Sequence, residues 1–193
     1  MILSVFTENI RLLTEAQNRW TEIYEAARTI ADAFSRGGKL LIFGNGGSAA
    51  DSQHLAAEFV NRFLIERPPL PALALSTDTS ILTSVANDYG YYEVFIKQIK
   101  ALGRTGDVAW GLSTSGNSPN VVGALSVAKS LGLTTIALTG EGGGEAKGAA
   151  DILIEVPSVQ TPRIQEVHIT IGHAVCQLVD YFLFQQPGEE VGP

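Results

Sequence analysis

A single cysteine, Cys176, is all the thiol in a chain of 193 residues. That excludes an internal disulfide and fits a reducing compartment. No run approaches the roughly 20 apolar residues that a bilayer span needs. The opening Met-Ile-Leu-Ser-Val-Phe-Thr-Glu-Asn-Ile-Arg lacks both the basic start and the sustained apolar core of a secretory leader. The expectation is a soluble, cytoplasmic protein with no membrane partner. Positive charge is scarce as well: 13 Lys and Arg face 20 Asp and Glu, giving a net charge of -7, and no Lys/Arg cluster occurs anywhere. Binding to nucleic acid is disfavoured, because attraction to phosphates would have to overcome overall repulsion. No low-complexity linker divides the chain. With 45% hydrophobic content, this length suits one well-buried domain over residues 1–193.

Within that domain the first 36 residues carry apolar positions at helical spacing, including Ile10, Leu13, Trp20, Ile23, Tyr24, Ala27 and Ile30, and stop at Gly37-Gly38. They read as one long or two stacked helices, with apolar faces that favour association with other copies. From residue 37 to 184 apolar runs alternate with helical stretches, the runs being Lys39 to Phe43, Ala72 to Leu75, Val108 to Leu112, Thr134 to Leu138 and Ile152 to Val156. Alternation of this kind predicts an α/β fold, a three-layer α/β/α sandwich around a five-stranded parallel sheet. Arg67-Pro68-Pro69, Gly140 to Gly144 and Pro187 to Pro193 read as turns or frayed ends. A final helix is expected from an N-cap at Thr161, with Pro162 in its first turn, to about Phe184. Its apolar stripe is Ile164, Val167, Ile171, Val175, Leu178 and Phe182; a neighbouring stripe holds Gln165, Ile169, Gly172 and Cys176, with His173 at its edge.

Two loops share one design. The strand ending at Phe43 runs into Gly44-Asn45-Gly46-Gly47-Ser48, and the strand ending at Leu112 runs into Ser113-Thr114-Ser115-Gly116-Asn117-Ser118. Each then opens into a helix. Glycines admit close backbone approach, the first helical N–H groups lack partners, and the helix dipole adds partial positive charge, so both loops suit an anion. Together they point to a phosphorylated small molecule whose hydroxyls are read by neutral donors. The first loop also fits a dinucleotide fingerprint ending in Ala49. No acidic residue falls suitably about 20 residues on, and no Gly-Lys-Ser/Thr of a P-loop follows. Helix capping by Ser and Asn is the plain alternative for the second loop, although four hydroxyls in six residues exceed that need.

The candidate chemical groups are few. His54 and Glu58 lie four apart on the helix after the first loop, about 6 Å along its axis, and can share an ion or pair with each other. His168 falls on an apolar stripe and reads as a packing residue, while His173 and Gln165 lie off it. On one straight helix Gln165 and His173 are about 12 Å apart, far for two ligands of one ion. Either one is outer-shell, or the helix bends, or two subunits contribute; completion across a subunit boundary is the expectation. Asn87-Asp88 reads as a helix stop or a hydroxyl-reading pair.

Taken together, Gly44 to Ser48, the His54 to Glu58 helix, Asn87-Asp88, Ser113 to Ser118, Ala137-Leu138-Thr139-Gly140 and Arg163 to His168 resemble the sugar isomerase (SIS) domain family. Within it they look like the phosphoheptose isomerases. The resemblance runs from about Gly37 to Phe184 and implies a flavodoxin-like SIS domain in a cytoplasmic homotetramer. The implied activity is conversion of sedoheptulose 7-phosphate into D-glycero-D-manno-heptose 7-phosphate for lipopolysaccharide or related glycans. It implies that Ser48, Ser113, Thr114, Ser115 and Ser118 bind phosphate and nearby hydroxyls, and that Asn45, Gly46, Gly47, Asn87 and Asp88 line the sugar. It further implies one zinc per subunit on His54, Glu58, Gln165 and His173, with Glu58 and His173 as acid and base, and with Glu58 and Gln165 also reaching substrate. A rival on the same fold is a non-enzymatic tetramer that binds the replication initiator DnaA, suggested by Asn61-Arg62-Phe63, Glu66-Arg67-Pro68 and Lys97 to Gly103. That branch lacks the carboxylate at Glu58 and disturbs the second hydroxyl loop. A sugar-phosphate-sensing regulator would need a DNA-binding module, for which the N-terminal helices are too short and too acidic.

Overall fold

The computed structural model describes residues 1–185, so the turn expected at Pro187 to Pro193 lies outside the described residues. Five strands form: β1 (Leu40–Gly44), β2 (Ala72–Ala74), β3 (Val108–Ser113), β4 (Thr134–Thr139) and β5 (Ile152–Glu155). All pair in parallel in the order β2-β1-β3-β4-β5. Each lies within about a residue or two of its predicted run. Alternation along β1 explains why that run is continuously apolar. Leu40 and Ile42 enter one buried cluster while Leu41 and Phe43 enter the other, so both faces of the sheet are covered.

The N-terminal segment is two helices, α1 (Ile2–Ala16) and α2 (Trp20–Ser35), joined by a 3-10 turn at Gln17–Arg19. With α3 (Gly47–Val60) and α8 (Thr161–Phe184) they cover one face of the sheet. The other face is covered chiefly by α5 (Glu93–Leu102) and α6 (Pro119–Ser130), with α4 (Thr79–Tyr89) and the single turn α7 (Ala146–Ala149) at its margins. Ala27 and Ile30 are core as expected, and Ile23 packs against the core, whereas Ile2, Leu3, Phe6, Ile10 and Trp20 are exposed. Trp20 keeps 68% of its surface accessible, so these two helices present a second, uncovered apolar face.

Helix α8 begins one residue earlier than expected. Gln160 occupies the N-cap without a side-chain cap bond, and Thr161 is the first helical residue. By length and composition α8 could cross a membrane; instead Ile164, Val167, Ile171, Val175 and Val179 are buried in the face shared with α2 and α3. The strand order reverses between β1 and β3, since the chain leaves β1 towards β2 on one side and reaches β3 on the other. That reversal opens a crevice at the carboxyl ends of the two strands. Both hydroxyl loops leave the sheet there.

Candidate functional site

The crevice is built from the two loops. Asn45, Gly46, Gly47 and Ser48 of the first line a cavity of about 300 Å³ with Ser113, Thr114 and Ser118 of the second, closed by Leu112, Thr161 and Gln165. No Lys or Arg is among these lining residues. Its polar character comes from hydroxyls, amides and backbone at the N-terminus of α3, a setting suited to an anion. Gly46 is the N-cap of α3 with φ +58°, a conformation that lets the chain turn from strand to helix at little steric cost. Gln165 reaches the first loop from α8: a Cβ on Gly47 would stand 2.6 Å from its Nε2.

The second loop is not a simple helix cap. Ser118 is the N-cap of α6 yet makes no side-chain cap bond; its hydroxyl instead pairs with that of Ser113 at 3.0 Å. Ser115 departs from its expected place. Its Oγ accepts from Asn117 N at 3.1 Å, closing the turn, and it is absent from the cavity lining. The two loops are braced together by Asn45 and Asn120, whose amides exchange two hydrogen bonds of 2.9 Å. Tyr91 adds a longer bond from its hydroxyl to Asn45 Oδ1 at 3.3 Å. Neither Asn120 nor Tyr91 stood out in the sequence, although Asn120 follows the hydroxyl loop by two residues and its amide type suits such a brace.

Further along α3 a second group assembles. His54 Nε2 lies 3.1 Å from Glu58 Oε1 and 3.2 Å from His173 Nε2. All three ligand atoms fall within 4.8 Å of one another, an arrangement that could hold a metal ion. The contact that makes this possible is one residue away on each helix. A Cβ on Gly172 would come within 2.5 Å of Leu55 Cδ2, so glycine lets α8 approach α3 closely enough for His173 to meet His54. Phe63 stacks on the His173 ring with centroids 5.4 Å apart. Partial burial, and after it the neighbouring His54 ring, lower the pKa of His173, while Glu58 works in the opposite direction. His173 therefore favours the neutral form, which offers a lone pair to a metal or a proton acceptor to a substrate.

This arrangement corrects one expectation. Glu58 and His173 meet within a single chain, so the triad needs no second subunit. Gln165 lies two turns earlier on α8, about 12 Å from His173 by helical rise, and its amide meets the first loop at Gly47. Asn87 and Asp88 are exposed in the last turns of α4, where Asn87 Nδ2 donates to Asp88 Oδ1 at 2.9 Å, outside the cavity lining. His168 is the packing residue that its stripe predicted, fully buried with Nε2–H donating to Thr139 O at 3.1 Å and Nδ1 left without a partner.

Comparison with known proteins agrees with the geometry. A family model described as SIS domain matches residues 6–140. The phosphoheptose isomerase of Nitratidesulfovibrio vulgaris (strain Miyazaki F) is 54% identical over 186 residues, covering 96% of this chain and 89% of that protein. That of Burkholderia pseudomallei is 55% identical over 161 residues, covering 81% and 82%. The solved structure of the phosphoheptose isomerase from Neisseria gonorrhoeae matches with a TM-score of 0.88 at 45% identity, over 93% of this chain and 96% of that one.

Proposed function

This chain belongs to the SIS domain family, in its phosphoheptose isomerase branch, and we propose that it interconverts sedoheptulose 7-phosphate and D-glycero-D-manno-heptose 7-phosphate. The observation that carries this reading is the meeting of Glu58 with His54 and His173 on the same two helices that border the hydroxyl-lined cavity. The DnaA-binding alternative draws no support from the relatives described above. Glu58 and the unbroken Ser-Thr-Ser-Gly-Asn-Ser run argue against it.

In this scheme Ser48, Ser113, Thr114 and Ser118, with the backbone of Gly46 and Gly47, hold the phosphate. Neutral donors around a dianion are worth more than in water once the site is dry. Asn45 and Gln165 read hydroxyls beyond it, and Asn87 and Asp88, outside the cavity lining on α4, would meet only a part of the sugar that extends past that lining. Isomerisation requires that a base remove the proton from C1 of the ketose, that O2 be protonated as the double bond moves, that O1 lose its proton and that C2 gain one. Glu58 and His173 are the base and acid. His54, hydrogen-bonding distance from both, holds them in register.

The triad also fits a zinc ion. Two imidazole nitrogens and a carboxylate oxygen face one another, only one proton can lie between the two rings without opposing another, and a cation at the centre would satisfy every lone pair. His54, Glu58 and His173 would hold it. Such an ion, when bound, stabilises negative charge on nearby oxygens. The exposed faces of α1 and α2, with Ile2, Leu3, Phe6, Ile10 and Trp20, supply a surface for assembly into a homotetramer. The likeness to phosphoheptose isomerases supports, as part of this reading, a cytoplasmic place in lipopolysaccharide precursor synthesis. The test is incubation of purified protein with sedoheptulose 7-phosphate, watched by NMR for the aldose phosphate. Product is expected, with loss on chelation and return with zinc; no product with or without added zinc overturns the reading.

A further inference from the structure

Helix α3 has no side-chain cap of its own at its carboxyl end. Its last carbonyls are met instead by Arg67, from the connection between α3 and β2, whose side chain is only 1% exposed. Arg67 Nη2 donates to Glu58 O at 2.7 Å and Nη1 to Phe59 O at 2.6 Å, with longer bonds from Nη1 to Pro68 O at 3.2 Å and Asn61 O at 3.3 Å. Its Nε donates to Asp180 Oδ1 at 2.8 Å. Asp180 lies on α8, two turns after His173. One planar guanidinium thus touches the backbone of Glu58 itself and the helix that carries His173.

We propose that Arg67 and Asp180 are a positioning pair for the site, fixing α3 against α8 so that Glu58 and His54 face His173. The proposal rests on the reading of that triad as the seat of chemistry. Three features favour positioning over plain stability. A buried ion pair is a poor way to stabilise a fold, because desolvation offsets the attraction. Asp180 Oδ2 is buried without a partner, so this pair leaves part of its own hydrogen-bonding capacity unused. The fork of a guanidinium fixes direction as well as distance, which an ammonium cannot do. The cavity that would hold the phosphate is at the other end of α3, beyond the reach of these bonds.

The test uses Arg67→Lys and Asp180→Asn, the second nearly isosteric. Each is compared with the wild type for kcat and KM on sedoheptulose 7-phosphate, and for the imidazole ¹⁵N signals of the metal-free protein. The chain has three histidines, so the signals are few, and buried His168 serves as an internal control. The expected result is a fall in kcat of about tenfold or more with KM within about twofold. The His54 and His173 signals should move while His168 stays. A folded Asp180→Asn or Arg67→Lys with wild-type kcat and unmoved His54 and His173 overturns the proposal. So does a general change in which KM and His168 shift too, or failure of both variants to fold, since each assigns the pair to stability alone. If the wild type proves inactive on this sugar the functional reading fails by itself, and the ring signals still decide the pair.

Discussion

Acid should weaken this fold through His168. The residue is fully buried, its Nε2–H bonds Thr139 O, and its Nδ1 has no partner. Protonation would place an N–H against no acceptor inside an apolar wall. Burial accordingly lowers its pKa from 6.5 to about 4, against a smaller opposing effect of the bond to Thr139. Because the unfolded chain takes up this proton first, stability is full above the unfolded value and is lost as pH falls from about 6.5 towards 4. The limit is about 3 kcal/mol, and roughly 2 kcal/mol of it should be gone between pH 7 and pH 5. Urea denaturation at both pH values would measure this in the wild type and in His168→Gln, whose amide can still donate to Thr139 O but does not titrate. Whatever the variant's stability at pH 7, its loss on acidification should be smaller by about 2 kcal/mol. Burial raises the pKa of Asp51 and Asp180, which pushes the other way, but equally in both proteins, so the difference isolates His168. Parallel pH dependences in the two proteins would refute the reasoning. The effect should also reach the candidate site, since the next residue, Gly140, donates its N–H to Thr114 O in the second hydroxyl loop.

Three further outcomes are expected. Ser118→Ala removes a hydroxyl that faces the cavity and pairs with Ser113, and should weaken substrate binding by about 1 to 3 kcal/mol, read from KM; Ser115→Ala should do less, because its hydroxyl closes the turn. Glu58→Gln should leave thermal unfolding nearly unchanged while turnover falls by about two orders of magnitude. Mixing it with His173→Asn under subunit exchange should restore no activity, since the two residues meet in one chain, and recovery would show that the triad is drawn from two. Gly172→Ala, whose Cβ would press on Leu55, should cost roughly 1 to 3 kcal/mol in denaturant and lower kcat by spreading α3 from α8.

The sheet was legible because its strands are buried on both faces, so Leu40 to Phe43 and Val108 to Leu112 appear as unbroken apolar runs between helical stretches. The hydroxyl loops were legible because four hydroxyls in six residues exceed what capping asks for. Convergence was the part that spacing could not supply. His54 and Glu58 announce themselves at four residues apart, but His173 comes 119 positions after His54, and nothing local states that Gly172 will sit on Leu55. Reasoning along one helix put about 12 Å between Gln165 and His173 and looked to a subunit boundary to complete the site, whereas His54, Glu58 and His173 meet within one chain. Asn120 and Arg67 were hidden for the same reason. Their partners, Asn45 and Asp180, lie 75 and 113 residues away.

Helix α3 carries the anion-binding turn at its start and the triad further along. Ser48 and His54 are separated by six residues, or about 9 Å of rigid rise. On the proposed function it therefore works as a ruler. A ketose phosphate with fewer carbons, seated by its phosphate in the same loops, would hold its carbonyl short of His54 and Glu58. Discrimination against shorter sugars then needs no contact that recognises the extra carbons, only a helix that does not bend.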